Sequence, residues 1–391
     1  MKYVMIIPDG LTDLAVKELK NKTPLEKAYI PHINFLLQNG LTGAVRTVPD
    51  HHEPGSDVAN LSLLGVDPRK VRIGRGALEA LSQNIRINKQ ETILRLNFVT
   101  VKDDIMIDNT GGDIKSLEAR GLIRELNRKI GQGKKFYPGV GYRNLVKISR
   151  AGLNIHTVPP HDILGKKIHQ HLPEGKDRNV IIGIMEQANR ILTQSSFRRT
   201  RKIKANAVWL WGEGYAVDTD SFYKKYGLKG AVISAVDIIK GIARLLKMDV
   251  IDVPGITGDF HTCYRNKALY ALRNLKKYDF IFIHIEATDE AGHKGDYKEK
   301  IKAIEKIDRE IVRTLLKAQE KFSIILLPDH PTPVKYRTHI NKEVPFIFYS
   351  KGKALCPNHH FKTYSENILK RPPLFIKEGH TFLKKIFNQR S

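Results

Sequence analysis

Short apolar runs of strand character alternate with amphipathic stretches of helical period through both outer parts of this 391-residue chain. That alternation predicts an α/β protein with a mainly parallel sheet flanked by helices. Two further observations sharpen the prediction. Aspartates follow three of the apolar runs closely, at the strand ends where open α/β sheets carry their active sites. The middle of the chain has strands and helices of its own. It therefore reads as a smaller α/β domain inserted into the larger one.

In chain order, residues 3–7 read as a buried strand closed by Pro8, Asp9 and Gly10. The loop Pro54-Gly55-Ser56-Asp57 has good turn chemistry, and residues 58–64 can continue from it as a helix. Residues 1–88 make the first piece of the outer domain. Residues 89–214 are the insert, with strands over 94–101, 144–149 and 208–211 and helices over 114–129 and 180–195. Residues 215–391 return to the outer domain, with helices over 235–246 and 267–277 and strands over 250–253 and 280–285. A charged helix over 298–321 and strands over 324–327 and 344–349 complete it. Candidate ligands come from both outer pieces, so these fold as one domain, and the insert is expected to close over the site.

The chemistry concentrates in Asp289-Glu290-Ala291-Gly292-His293, in Asp329-His330 and in His339. One His or Asp at a strand end is more often a cap or a surface residue than a ligand. The whole set, with D-x-x-x-H and D-H spacing after neighbouring strands, makes a mixed oxygen and nitrogen site suited to two divalent ions of the zinc or manganese kind. With Asp9 and Ser56 it contains what a metal-dependent phosphoryl-transfer enzyme with a serine nucleophile needs. Ser56 also reads as an ordinary turn or N-cap serine, which is compatible with that role. Ser62, among Leu61, Leu63 and Leu64, reads as packed.

Composition narrows the class. Lys and Arg number 66 against 41 Asp and Glu, a net charge of +25. The basic residues are spread along the chain, and the densest run, from Arg198 to Lys204, is short and precedes an apolar strand. Nucleic acid is therefore not the expected partner, whereas a small acidic phosphorylated substrate would benefit from the charge. No apolar run is long enough to cross a membrane, and the one at residues 4–7 is too short for a signal peptide, so a cytoplasmic enzyme is expected. Cys263 and Cys356 are too few for a disulfide framework or a thiolate metal site.

Long motifs in order, among them MKYVMIIPDG, PGSDVANLSLLGVDP, FYPGVGYRNLV, PPHDILGK, IFIHIEATDEAGHKGD and LLPDHPTPVKYRTH, resemble the archaeal-type cofactor-independent phosphoglycerate mutases of the alkaline phosphatase superfamily. They are also similar to bacterial relatives proposed as homoserine kinases. The resemblance implies an alkaline-phosphatase-like fold and two metal ions, manganese first, with magnesium, zinc or cobalt as alternatives. It implies one ion on Asp289, His293 and His339, the other on Asp9, Asp329 and His330, and Ser56 as nucleophile and further ligand. The implied reaction is 3-phosphoglycerate to 2-phosphoglycerate in glycolysis without bisphosphoglycerate, the alternative a homoserine kinase. Arg143, His161 and Asp162 of the insert, with Arg75, Lys240 and Arg337, are the candidate substrate groups. Val66 and Asp113 depart from the relatives' usual residues, and the oligomeric state stays open.

Overall fold

A computed structural model describes residues 1–71, 73–352 and 361–388; Cys356 lies outside the described residues. The chain opens with β1 (Tyr3–Pro8), buried at every position, and β2 (Leu41–Val45). It continues through β3 (Thr92–Lys102), β4 (Ile105–Asp108), β5 (Lys134–Val140), β6 (Arg143–Ile148) and β7 (Ala207–Tyr215). The last strands are β8 (Gly230–Ile233), β9 (Asp249–Val250), β10 (Phe280–Ile285), β11 (Ser323–Leu326), β12 (Val344–Ser350) and β13 (Phe375–Ile376). Two compact units result, Met1–Val71 with Thr219–Ser391, and Arg72–Asp218.

The larger unit holds an eight-stranded sheet in the order β13-β2-β12-β11-β1-β10-β8-β9. The β11-β1-β10-β8-β9 half is parallel, and β12 runs antiparallel to both its neighbours. β1, β10 and β11 are uniformly apolar or nearly so because helices cover both faces of a parallel sheet. Strand register brings their ends together. Ile7 lies opposite His284, and Ile6 opposite Leu326, so the segments after β1, β10 and β11 emerge side by side at the carboxyl ends of central strands.

In the smaller unit β3 is flanked by β6 and β7, both antiparallel, with β5 outside β6. The helices Ser116–Lys129 and Arg178–Gln194 place Leu122, Leu126, Ile181 and Leu192 in its apolar core with Phe98, Val146 and Trp209.

Three local readings differ from expectation. The helix Arg75–Ser82 falls in the smaller unit, so the first crossing lies at residues 71–72 rather than near 88. Small residues explain this. A Cβ on Gly76 would stand 2.7 Å from the Gly212 carbonyl and one on Gly214 would stand 2.7 Å from the Ala77 Cβ, so helix and β7 lie almost backbone to backbone. The helix expected over 298–321 runs as Tyr297–Lys306, widens into a π turn over Ile307–Val312 and ends at Lys317. The strand expected over 250–253 is only Asp249–Val250, at the sheet edge. No helix among the described residues is long and apolar enough to cross a membrane.

Candidate active site

In the larger unit, at the ends of β1, β10 and β11, the chain gathers its acids and imidazoles. The Asp9 N–H donates to the Ile285 carbonyl at 2.9 Å, which keeps the two chain ends paired beyond the ladder. Asp289 lies in the first turn of the helix Ala287–Lys294 and His293 in its last, on one helix face. Asp329 and His330 follow β11, and His339 leads towards β12. Gly10 has φ +61°, and a Cβ there would meet Asp289 Oδ1 at 2.7 Å. Only glycine lets the loop after β1 pass this carboxylate in that conformation.

His293 Nε2 and His339 Nε2 are 2.9 Å apart, and they lie 3.2 and 3.3 Å from the two oxygens of Asp289. His330 Nε2 is 3.5 Å from Asp9 Oδ1 and 3.6 Å from Asp329 Oδ2. Ser56, the first residue of the helix Ser56–Leu63, holds Oγ 3.2 Å from both Asp9 Oδ2 and His330 Nε2. His330 also stands within 4.8 Å of Asp289 and His339, ligand atom to ligand atom, and so borders both groups. The spacings resemble the edges of a coordination shell: a tetrahedron with metal–ligand bonds near 2.0–2.1 Å has edges of about 3.3 Å.

The imidazoles are set for a cation. His293 Nδ1 donates to the Arg337 carbonyl at 3.0 Å and His339 Nδ1 to the Pro54 carbonyl at 3.2 Å. Carbonyls only accept, so both protons sit on Nδ1 and both Nε2 lone pairs face inward. Two lone pairs at that separation need a proton or a metal between them and the acid. Asp289 itself holds His293 up to about 9, so without metal a proton takes that place. Burial works to raise Asp289, but hydrogen bonds from His293 and His339 outweigh it and hold it well below the usual range. Asp9 is pushed well above that range, first by burial and then by Asp329, Asp289 and Glu286. Four carboxylates converge here, and a divalent cation fits their charge and the donor set.

Supporting groups fix the ligands. Asp329 Oδ1 accepts from the Gly10 and His330 amides at 3.2 and 2.9 Å, and Oδ2 accepts from Asn60 Nδ2 at 2.9 Å. Thr332 Oγ1 donates to Asp289 Oδ1 at 2.5 Å.

The smaller unit carries a cationic cluster. The Arg95 guanidinium stacks over Trp211 at 4.0 Å and pairs with Glu79 at 2.9 Å. Its pKa is lowered, by burial first, with Glu79 opposing and Arg75 and Arg143 adding, so three arginines share one neighbourhood. His161 meets Trp211 edge-on with ring centroids 5.5 Å apart.

A family profile described as Metalloenzyme superfamily matches residues 1–371. The chain is 44% identical over 362 residues to the 2,3-bisphosphoglycerate-independent phosphoglycerate mutase of Methanothrix thermoacetophila, which is 90% of this chain and 91% of that one. The chain belongs to the metalloenzyme superfamily, in this mutase family. A solved protein from Pyrococcus horikoshii shares the fold with a TM-score of 0.82 at 26% identity, covering 100% of this chain and 98% of that one. The cofactor-independent phosphoglycerate mutase from Thermoplasma acidophilum matches with a TM-score of 0.69 at 26% identity over 100% of both chains. Family and buried acid–imidazole groups together support the use of divalent metal.

For this member of the mutase family, the structure brings together Asp9, Ser56, Asp289, His293, Asp329, His330 and His339. Arg337 reaches that group through its carbonyl. Lys240 pairs with Asp237 at 3.6 Å and lines a cavity of about 480 Å³ with Ser234, Asp252 and Tyr270. Arg75, Arg143 and His161 belong to the cluster around Arg95, and Asp162 lies beside His161 at 3.7 Å. Sequence reasoning passed over Asn60, Thr332, His284, Glu286 and Arg95. Asn60 had a usable signal, one helical turn beyond Ser56; an arginine inside a strand such as Arg95 had none.

Proposed function

We propose that this chain is a 2,3-bisphosphoglycerate-independent phosphoglycerate mutase that moves a phosphoryl group between the 3- and 2-hydroxyls of glycerate through phosphoserine at Ser56. The observation that carries the reading is Ser56 Oγ, 3.2 Å from both Asp9 and His330, at a helix N-terminus. Asp289, His293 and His339 would hold one divalent ion and Asp9, Asp329, His330 and Ser56 a second, manganese being the first choice. Bound there, such ions lower the pKa of a coordinated hydroxyl and polarise phosphoryl oxygens.

The residues then divide the work. Ser56 Oγ bonds to phosphorus as the bond to the 3-oxygen breaks, and the hydroxyl proton faces Asp9 Oδ2. Gly55 offers no side-chain cap, so the first-turn amides of the helix Ser56–Leu63 are left to receive the phosphoryl oxygens. Attack by the 2-hydroxyl on phosphoserine returns the group to glycerate, and no outside phosphate donor enters the balance. Arg75, Arg95, Arg143 and His161 form an anion-binding cluster suited to a carboxylate, which guanidinium forks grip with two donors. The similar proteins from Methanothrix and Thermoplasma are mutases by name, and nothing in them favours the homoserine kinase alternative. A glycolytic, cytoplasmic setting follows from the reading.

The test is a coupled assay of manganese-loaded protein with 3-phosphoglycerate and no bisphosphoglycerate, beside an assay with homoserine and ATP. Formation of 2-phosphoglycerate alone is the expected result. Phosphohomoserine without 2-phosphoglycerate would replace the reading with the kinase.

A further inference from the structure

We propose that Asn60 is a positioning residue for phosphoryl transfer: its side-chain amide ties the main chain of Ser56 to Asp329 and so sets where the nucleophile stands against the buried acids. The inference rests on the mutase reading with Ser56 as nucleophile and deepens it. Asn60 sits one turn beyond Ser56 on the helix Ser56–Leu63 and is 0% exposed. Its Nδ2 donates to the Ser56 carbonyl at 2.8 Å and to Asp329 Oδ2 at 2.9 Å. One planar nitrogen thus directs its two hydrogens to two elements, the second 269 residues further along the chain.

Nothing local asks for asparagine here. Its side chain competes for backbone groups, which makes it a weak helix former, and a buried amide is costly unless paired. The neighbours Ala59, Leu61 and Leu63 show what this buried stretch otherwise takes. Asn60 Oδ1 moreover has no hydrogen-bond partner among the described residues. Turning the amide over would not help, since Oδ1 would then face a carboxylate and a carbonyl, both acceptors. The residue therefore keeps an idle oxygen while its two donors reach Ser56 and Asp329. Asp329 is held on both oxygens as a result, Oδ1 by the Gly10 and His330 amides and Oδ2 by Asn60. Ser56 Oγ, 3.2 Å from Asp9 Oδ2 and His330 Nε2, is carried by a main chain that Asn60 keeps from sliding along these groups. Such alignment acts on the transfer step, where a misplacement of about 1 Å costs on the order of 10²-fold. The anion-binding cluster of Arg75, Arg95 and Arg143 does not include Asn60, so binding of the acid should be spared.

The experiment compares wild type with Asn60→Leu, close in shape but without the donors, both at saturating manganese with 3-phosphoglycerate. Saturating metal takes out of the comparison a loss of manganese affinity through Asp329. Rapid-quench should show phosphoserine forming on Ser56 about 10²-fold more slowly in Asn60→Leu, with kcat falling alongside while KM stays within about threefold. A purely structural residue would instead lower the melting temperature and leave kcat per folded molecule unchanged. Phosphoserine forming at the wild-type rate in Asn60→Leu, or a loss confined to KM, would overturn the positioning role and leave the mutase reading standing. Turnover of the wild type without phosphoserine would remove both. If Asn60→Leu does not fold, Asn60→Ala lacks the same donors and carries the test. If neither folds, a wild-type crystal structure decides: both bonds are expected, and Asn60 Nδ2 more than about 3.5 Å from either acceptor would overturn the inference.

Discussion

Ser56 and Ser62 lie on the same short helix, yet their surroundings differ in kind. Ser56 is half-buried with Oγ between Asp9 and His330, whereas Ser62 is 1% exposed with a hydroxyl that has no hydrogen-bond partner. Ser56→Ala should lower turnover by at least ~10³-fold and move the melting temperature by less than about 2 °C, since only the nucleophile is lost. Ser62→Ala should leave turnover within about twofold, because an idle hydroxyl contributes little. Steady-state kinetics and thermal melts of both variants check this. Thr332 acts one step further out, through its 2.5 Å bond to Asp289 Oδ1. Thr332→Val keeps the shape and frees that carboxylate oxygen to drift. It should weaken manganese binding by about 10–100-fold, read by competition with a chelator.

At the scale of elements, one buried ion pair ties the loop after β1 to the loop after β11. Lys300 Nζ, on the helix Tyr297–Lys306, donates to Asp13 Oδ2 at 2.7 Å, to the Thr332 carbonyl at 2.8 Å and to the Thr12 carbonyl at 3.3 Å. Asp13 in turn accepts from the Val334 amide at 3.2 Å. Lys300→Met would strand a buried carboxylate and two carbonyls, so a loss of about 3–5 kcal/mol is expected in denaturant unfolding. Glu366 fastens the same loop from another side, accepting from the Asp13 amide at 2.9 Å and Thr23 Oγ1 at 2.7 Å. Burial outweighs these bonds and raises Glu366 from 4.5 to about 7. A raised folded-state value means the stability it contributes is full below 4.5 and is lost as pH rises through about 7. The melting temperature should therefore fall by on the order of 5 °C across that window, and Glu366→Gln should flatten the fall.

Across the whole molecule, the strands that carry the ligands could be read from sequence because each is an apolar run closed by an acid. β1, β10 and β11 need burial on both faces, and Asp9, Asp289 and Asp329 follow them within four residues as acids that are buried too. What could not be read depends on distant partners. The helix Arg75–Ser82 joins the smaller unit because Gly76 and Gly214 permit close approach to β7, a fact absent from either local sequence. The π turn over Ile307–Val312 carries Asp308, whose carboxylate accepts from the Ile33 amide at 2.7 Å at the start of the helix Pro31–Gln38. That helix has no cap of its own, and its need shows only in three dimensions. Arg95 is of the same kind, since its role depends on Trp211 lying across β3 and β7.

The central claim is that the phosphoryl group passes through Ser56. Rapid-quench of manganese-loaded protein with 3-phosphoglycerate labelled in its phosphate, followed by peptide mapping, tests it most directly. The label should appear on the peptide containing Ser56 within one turnover, leave into 2-phosphoglycerate, and be absent from Ser56→Ala. Labelled product formed at full rate with no phosphopeptide, or with the label on Ser62, would contradict it.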